Sequence, residues 1–187
     1  FGAVQYWQKE TSYTHLVEIN GQWKNFKGFA PNYAIAFSAD KDRIAYHLDL
    51  VISYLDSHNP NDFTKKQIAK RKQLLFDLKK YSIERHFPRN TYHDVRTPYF
   101  IDNYNNYCAV GYLMKVSGAD DLAKEISKNE NYNYVEDIKT PGVAEWAFNN
   151  GFTVNELKWI QPNYGPNTFV KPVNKGVNWP ITAACLF

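Results

Sequence analysis

The sequence predicts a mainly α fold: a compact orthogonal helical domain with an N-terminal β-hairpin and an extended C-terminal wrap. Three observations predict it. Apolar residues recur at helical spacing through the middle of the chain, caps and proline stops punctuate that pattern, and Asn20-Gly21 separates two short apolar-bearing runs near the start. The 187 residues suit one domain, long enough to bury a core without metal or disulfide staples. The expected parts are hairpin and loop over 1–37, helical core over 38–162 and extended segment over 163–187.

In "THLVEINGQWKNF" the strands are expected at 15–19 and 22–26, because Asn-Gly is the strongest short hairpin signal. A long helix follows, capped by Ser38, with Asp40 and Asp42 at the positive end of its dipole. Ile44, Leu48, Val51, Ile52 and Leu55 form its apolar stripe, and Pro60 forbids continuation. Thr64 and Gln67 read as a capping box opening a second long helix, which stops before "HFPRN". Residues 88–107 are loop-rich, with "PYFI" as a possible short strand. "YCAVGYLMKV" is a helix ending at Gly118, and a short helix spans Ala119 to about Lys128. Thr140 is the expected N-cap of a helix stopped by Gly151. Thr153 and Glu156 form another capping box, and Pro162 closes that last helix. Phe169, Val170, Trp179, Ile181, Leu186 and Phe187 need burial, so the C-terminal segment reads as an ordered wrap.

Composition narrows the function. A net charge of +3 is too balanced to argue for nucleic acid, and the basic stretch 65–80 reads as the solvated face of a helix. No apolar run is long enough for a membrane span. P-loop, dinucleotide-binding, H-E-x-x-H, EF-hand and G-x-S-x-G patterns are missing, so no cofactor and no metal are expected. A start at Phe1, abundant Asn and Tyr and scarce Met suggest an exported mature chain, secreted, periplasmic or on the cell surface. The 17% aromatic content fits either a tyrosine-rich core or a surface that stacks on sugars or grips a partner.

Cys108 opens an apolar helix. If Asn106 caps that helix, the unpaired N–H groups of its first turn favour a thiolate. A nucleophile needs a base, and all five histidines precede Cys108, which excludes a papain-like order. His47, at the edge of its helix stripe, is the candidate; the plainer alternative is a partly buried histidine bonded to backbone. A Cys108–Cys185 bridge is also open. Arg96 can clamp a carboxylate bidentately, either a ligand's or that of Asp102, or serve as a structural ion pair. The small residues Ala109 and Gly111 permit close approach of a backbone or a ligand.

"HLDLV", "FPRN", "RTPYFID", "CAVGYLM", "SG" and "EL-x-x-IQP-x-Y" together resemble an uncharacterised family of small exported bacterial proteins, over roughly residues 40–165. Its recurring motifs fall on His47, Arg96, Pro98, Phe100, Asp102, Cys108, Gly111, Gln161, Pro162 and Tyr164. The resemblance implies no chemistry, but it suggests that residues 96–111 are the family's centre.

Two functions are therefore expected. The first is a binding module of the bacterial exterior, taking a glycan or protein partner on an aromatic-rich loop, with Arg96, Tyr99, Tyr104 and Tyr107 as binding residues beside Tyr92. The second is a thiol-dependent hydrolase or transferase with Cys108 as nucleophile, His47 as base and Asp102 or Arg96 as the orienting or substrate-binding group.

Overall fold

The computed structural model describes residues 10–28, 30–60 and 62–166. Seven α-helices run through them: α1 (Ser12–Ile19), α2 (Asp40–Ser57), α3 (Lys65–Glu84), α4 (Ala109–Val116), α5 (Asp120–Glu130), α6 (Val143–Asn149) and α7 (Val154–Ile160). The protein is mainly helical, and the described residues contain no strand and no sheet. No helix among them is long and apolar enough to cross a membrane.

The expected N-terminal hairpin is not formed. Residues 12–19 are α1, and Gly21–Asn25 form a 3-10 turn. Asn20 explains the difference. A type I′ hairpin turn needs a left-handed Asn, whereas Asn20 is extended, with φ −149°. Its side-chain amide donates to the carbonyls of Lys158, Trp159 and Gln161 at 2.8, 3.1 and 3.0 Å. Those carbonyls close α7, where the helix itself offers no donors. Leu16, Ile19 and Trp23 then enter the core at helical spacing.

The two long helices carry the fold. In α2 the residues Ile44, Leu48, Val51 and Leu55 are buried and Ile52 is half-buried. Its N-cap is Ala39 rather than Ser38, whose hydroxyl donates to Asp42 Oδ2 at 2.6 Å. The Thr64/Gln67 capping box opens α3, and Arg85 ends it in the left-handed conformation, paired with Asp42 of α2. The helices α2 and α3 pack side by side; α4 lies on α3, α5 on α4, and α1 and α7 on α2. One continuous apolar cluster fills the space between them.

Arg71 departs from the solvated face expected of the charges in 65–80, because it is fully buried. Its guanidinium donates to the carbonyls of Leu55 and Gly151 at 2.8 and 2.9 Å and to Glu156 Oε1 at 2.8 Å. One side chain thus ties the end of α2 to the α6–α7 turn. Gly151 is required there: its φ is +78°, and an added Cβ would lie 2.4 Å from the Gln67 carbonyl oxygen.

Two further caps differ from expectation. Cys108, not Asn106, is the N-cap of α4. Gly142, not Thr140, precedes α6. The Thr140 N–H and hydroxyl instead both donate to Glu130 Oε2, at 2.8 and 2.7 Å. The Thr153/Glu156 capping box forms as predicted. Of the C-terminal segment, Tyr164 exchanges backbone bonds with Thr97 at 3.0 and 3.1 Å, and the Asn163 N–H donates to the Ile19 carbonyl at 2.7 Å. Residues 167–187, with Cys185 and the expected wrap, lie outside the described residues.

Candidate functional site

Residues 88–107 are held from inside by polar side chains. Asp102 is 5% exposed, and its two oxygens accept four bonds: from the N–H groups of Arg89, Tyr104 and Asn106 at 2.8, 2.8 and 2.9 Å, and from Asn106 Nδ2 at 2.9 Å. A carboxylate so occupied closes the 102–106 turn. Arg96 clamps a carboxylate bidentately, but that of Asp40 at the start of α2, at 2.7 and 3.1 Å. The same guanidinium donates to the Asn163 carbonyl at 2.8 Å. The Asn90 amide donates to the carbonyls of Val95 and Tyr164 at 2.8 and 3.1 Å. Loop, α2 and the 163–166 segment are therefore one unit.

The tyrosines of this loop divide into two sets. Tyr99 and Tyr107 are buried, at 1% and 8% exposure. Burial, then the Tyr132 hydroxyl 3.3 Å away, raises the Tyr99 phenol pKa. Tyr107 is also raised, by burial first, and its hydroxyl donates to Asp120 Oδ1 at 2.8 Å. Asp120 is correspondingly held below the usual carboxylate range, by Lys124 first and Tyr107 second. Tyr92 and Tyr104 point outward, at 64% and 62% exposure. Neither is slack: Asn103 Nδ2 donates to the Tyr92 hydroxyl at 2.8 Å, and the Arg89 guanidinium sits 4.9 Å over the Tyr104 ring.

A second segment joins this loop. Asn131, at the end of α5, receives the Ile101 N–H on Oδ1 at 2.9 Å and donates from Nδ2 to the Ile101 carbonyl at 3.1 Å. The Phe100 N–H donates to the Asn131 carbonyl at 2.8 Å. Tyr132 follows, 40% exposed, with its ring edge-on to Tyr99 and His93. Gln161 holds the segment from below: its Oε1 accepts from the Val135 N–H at 2.9 Å and its Nε2 donates to the Asn133 carbonyl at 3.2 Å. Sequence reading missed this segment. The signal was present, because "NYNY" at 131–134 repeats the composition of "NYNNY" at 103–107.

Between loop and helix lies a shallow depression of about 390 Å³, lined by Asn103 and Asn105 on one side and Lys124, Ser127 and Lys128 on the other. A second, of about 330 Å³, continues it past Asn131 to Tyr132 and Asn133. Both are open and polar. Amide and hydroxyl groups beside the exposed Tyr132 ring suit a polyol that offers hydroxyls at its edge and C–H bonds on its face.

Cys108 and His47 are not brought together by any hydrogen bond. Cys108 is fully buried and unbridged among the described residues, with Sγ accepting the Gly111 N–H at 3.3 Å. Burial pushes the thiol up to about 12, against a smaller opposing pull from the N–H groups of Gly111 and Val110. The space at Gly111 is filled by Phe100, whose ring would stand 3.1 Å from an added Cβ. His47 is equally buried, and the Trp23 indole N–H donates to its Nδ1 at 2.9 Å. Burial takes it down to about 3, with the Trp159 backbone opposing weakly. Among the described residues no group of three or more His, Cys, Asp or Glu is placed to hold a metal ion.

The chain matches no protein-family model, and no curated protein or solved structure is significantly similar to it.

Proposed function

We propose that this protein is a binding module of the bacterial exterior that takes a glycan on the face formed by residues 89–107 and 127–134. One observation carries the proposal. Two Asn/Tyr-rich segments, far apart in sequence, are stitched through Asn131 and leave Tyr92, Tyr104 and Tyr132 exposed, with Tyr132 lining one of the two open polar depressions. Holding aromatic rings on a rigid frame lowers the entropy lost on binding. The motif residues that resemble the exported family serve that frame: Arg96, Asp102, Cys108, Gln161 and Tyr164 all spend their polar atoms or backbone on keeping the two segments in place. Export is the reading of composition, and it fits a ligand met outside the cell.

A thiol enzyme draws no support from this geometry. Its nucleophile would be a buried, neutral thiol serving as a helix cap, and its base a buried imidazole occupied by an indole N–H.

The test is a glycan array followed by titration of hits against Tyr104→Ala and Tyr132→Ala, with folding checked by circular dichroism. Each replacement should weaken binding at least about tenfold while helicity is unchanged, as expected for an aromatic contact at the centre of a site. Full affinity in both variants would remove this face as the recognition surface.

A further inference from the structure

We propose that the outer face of α3 docks on an anionic phospholipid surface, a property independent of the glycan reading above. The helix buries Gln67, Arg71, Leu74, Leu75, Leu78 and Tyr81. Opposite that side, Ala69, Phe76 and Ile83 fall at i, i+7 and i+14, so they form one line down the middle of the exposed face. Phe76 and Ile83 are 58% and 66% exposed. Lys72 and Lys79 flank that line on one side, Lys66 and Lys80 on the other. Lys80 also lies 4.5 Å over the Phe76 ring.

The helix itself does not account for these charges. Lys65 and Lys66 sit in its first turn, which holds no acid and where the dipole disfavours cations. Lys66 and Lys70 stand at i, i+4, a repulsive spacing for like charges. Among the described residues Lys65, Lys66 and Lys72 make no ion pair, and Lys70 donates to the Asn149 carbonyl at 3.1 Å. The carboxylates nearby keep their charge. Asp77 and Glu84 stand at the edge toward α4, where the Tyr112 phenol is raised by burial first and then by both of them. Asp77 also meets Lys80 at 3.3 Å, Asp49 of α2 meets Lys79 at 2.8 Å, and Asp62 precedes the cap. Those four acids against six exposed lysines leave the face positive, and its first half, from Lys65 to Lys72, contains no acid.

Charge alone would suit any polyanion, and the apolar line decides between them. Phe76 and Ile83 gain nothing from a water-soluble polymer. At the boundary of headgroups and acyl chains they leave water, while the flanking lysine stems carry their ammonium groups to the phosphates on either side. A second copy of the chain would bring like charges together. The occupant is therefore the headgroup layer of an anionic bilayer, met by a helix about 30 Å long lying in its plane.

Co-sedimentation of the full chain with vesicles tests this, using phosphatidylcholine alone and equal parts phosphatidylcholine and phosphatidylglycerol. Binding should appear on the mixed vesicles and weaken with added salt. Lys66→Gln with Lys72→Gln should lower it at least about tenfold, since each lysine near such a surface is worth about fivefold. Lys128→Gln with Lys139→Gln, the same loss of charge outside α3, should stay within about twofold of the parent. Phe76→Ser with Ile83→Ser should also lower vesicle binding at least about tenfold, with helicity unchanged and with any binding to soluble dextran sulfate unaffected. No binding to the mixed vesicles, or equal binding to the neutral ones, overturns the proposal. Vesicle binding that survives the Phe76 and Ile83 exchange overturns it in favour of a soluble polyanion, and equal loss in the control pair reduces it to net charge. A lipid-free dimer that the Phe76 and Ile83 exchange dissolves, without vesicle binding, gives the face to a second copy. None of these outcomes bears on the glycan array.

Discussion

Asn131 pairs with Ile101 as a backbone would. Its side-chain amide accepts the Ile101 N–H at 2.9 Å and returns a bond to the Ile101 carbonyl at 3.1 Å. One side chain thereby satisfies both main-chain groups of a loop residue thirty positions away, in a protein whose described residues have no sheet to do so. Asn131→Ala should cost about 1–3 kcal/mol by leaving both groups short of partners. Urea denaturation measures it, and a variant as stable as the parent would mean that the loop does not depend on this bond.

Tyr99 and Tyr104 should respond in opposite ways. Tyr99 is buried against Tyr132, so Tyr99→Ala should lose about 3–5 kcal/mol through the cavity it leaves. Tyr104 is exposed, so Tyr104→Ala should stay within about 0.5 kcal/mol of the parent and show its effect in binding alone. Comparable destabilisation by the two would mean that Tyr104 is part of the packing.

His47 makes the protein acid-sensitive. Its folded pKa, lowered from 6.5 to about 3 by burial, means that the unfolded chain takes up a proton first as pH falls. Stability from keeping the ring neutral is intact above pH 6.5 and declines between there and about pH 3, by up to about 1.4 kcal/mol per pH unit. Denaturation curves from pH 8 to pH 4 should therefore fall more steeply for the parent than for His47→Gln. Parallel curves would show that His47 does not titrate on unfolding.

Cys108 should be inert in the folded protein. With its thiol pushed up to about 12 and its sulfur buried, iodoacetamide at pH 8 should leave it unlabelled until urea is added, as read by peptide mass spectrometry. Cys108→Ser keeps a cap for Gly111 and should remain within about 1 kcal/mol, whereas Cys108→Ala loses the cap and about 1 kcal/mol more. Rapid labelling at pH 6 that disappears in His47→Ala would restore the enzyme reading.

Arg71 should be among the costliest positions. Arg71→Ala strands Glu156 and the carbonyls of Leu55 and Gly151, and a loss of about 3–5 kcal/mol is expected. Thermal unfolding at fixed pH measures it. A loss under about 1 kcal/mol would mean that water replaces the guanidinium freely.

Some local signals carry through to the fold, while the Asn-Gly turn and the caps expected at Ser38, Asn106 and Thr140 do not. Both capping boxes, the extents of α2 and α3 and the left-handed glycines at 118 and 151 follow from neighbours a few residues apart. The site was legible in part. The 88–107 loop stood out by its tyrosines, but nothing in its sequence says that Tyr99 faces inward and Tyr104 outward, since irregular loops have no period to read. The bidentate clamp of Arg96 is legible in the sequence, but its partner is not, because Asp40 is distant in sequence and Asp102 is near.

The sequence by itself determined the helical class, the boundaries of the long helices and the concentration of Asn and Tyr in two short segments, because caps, stops and apolar periodicity act over one or two turns. Only the tertiary structure decided that Asn20 closes a helix instead of turning a hairpin, that Cys108 and His47 are separate buried groups, and that residues 101–107 meet 131–134. The outcomes at Asn20, His47 and Asn131 each turn on a polar atom finding its partner across the fold. Such a partner is chosen by the cost of leaving donors and acceptors unpaired away from water, a cost that exists only once the chain has packed.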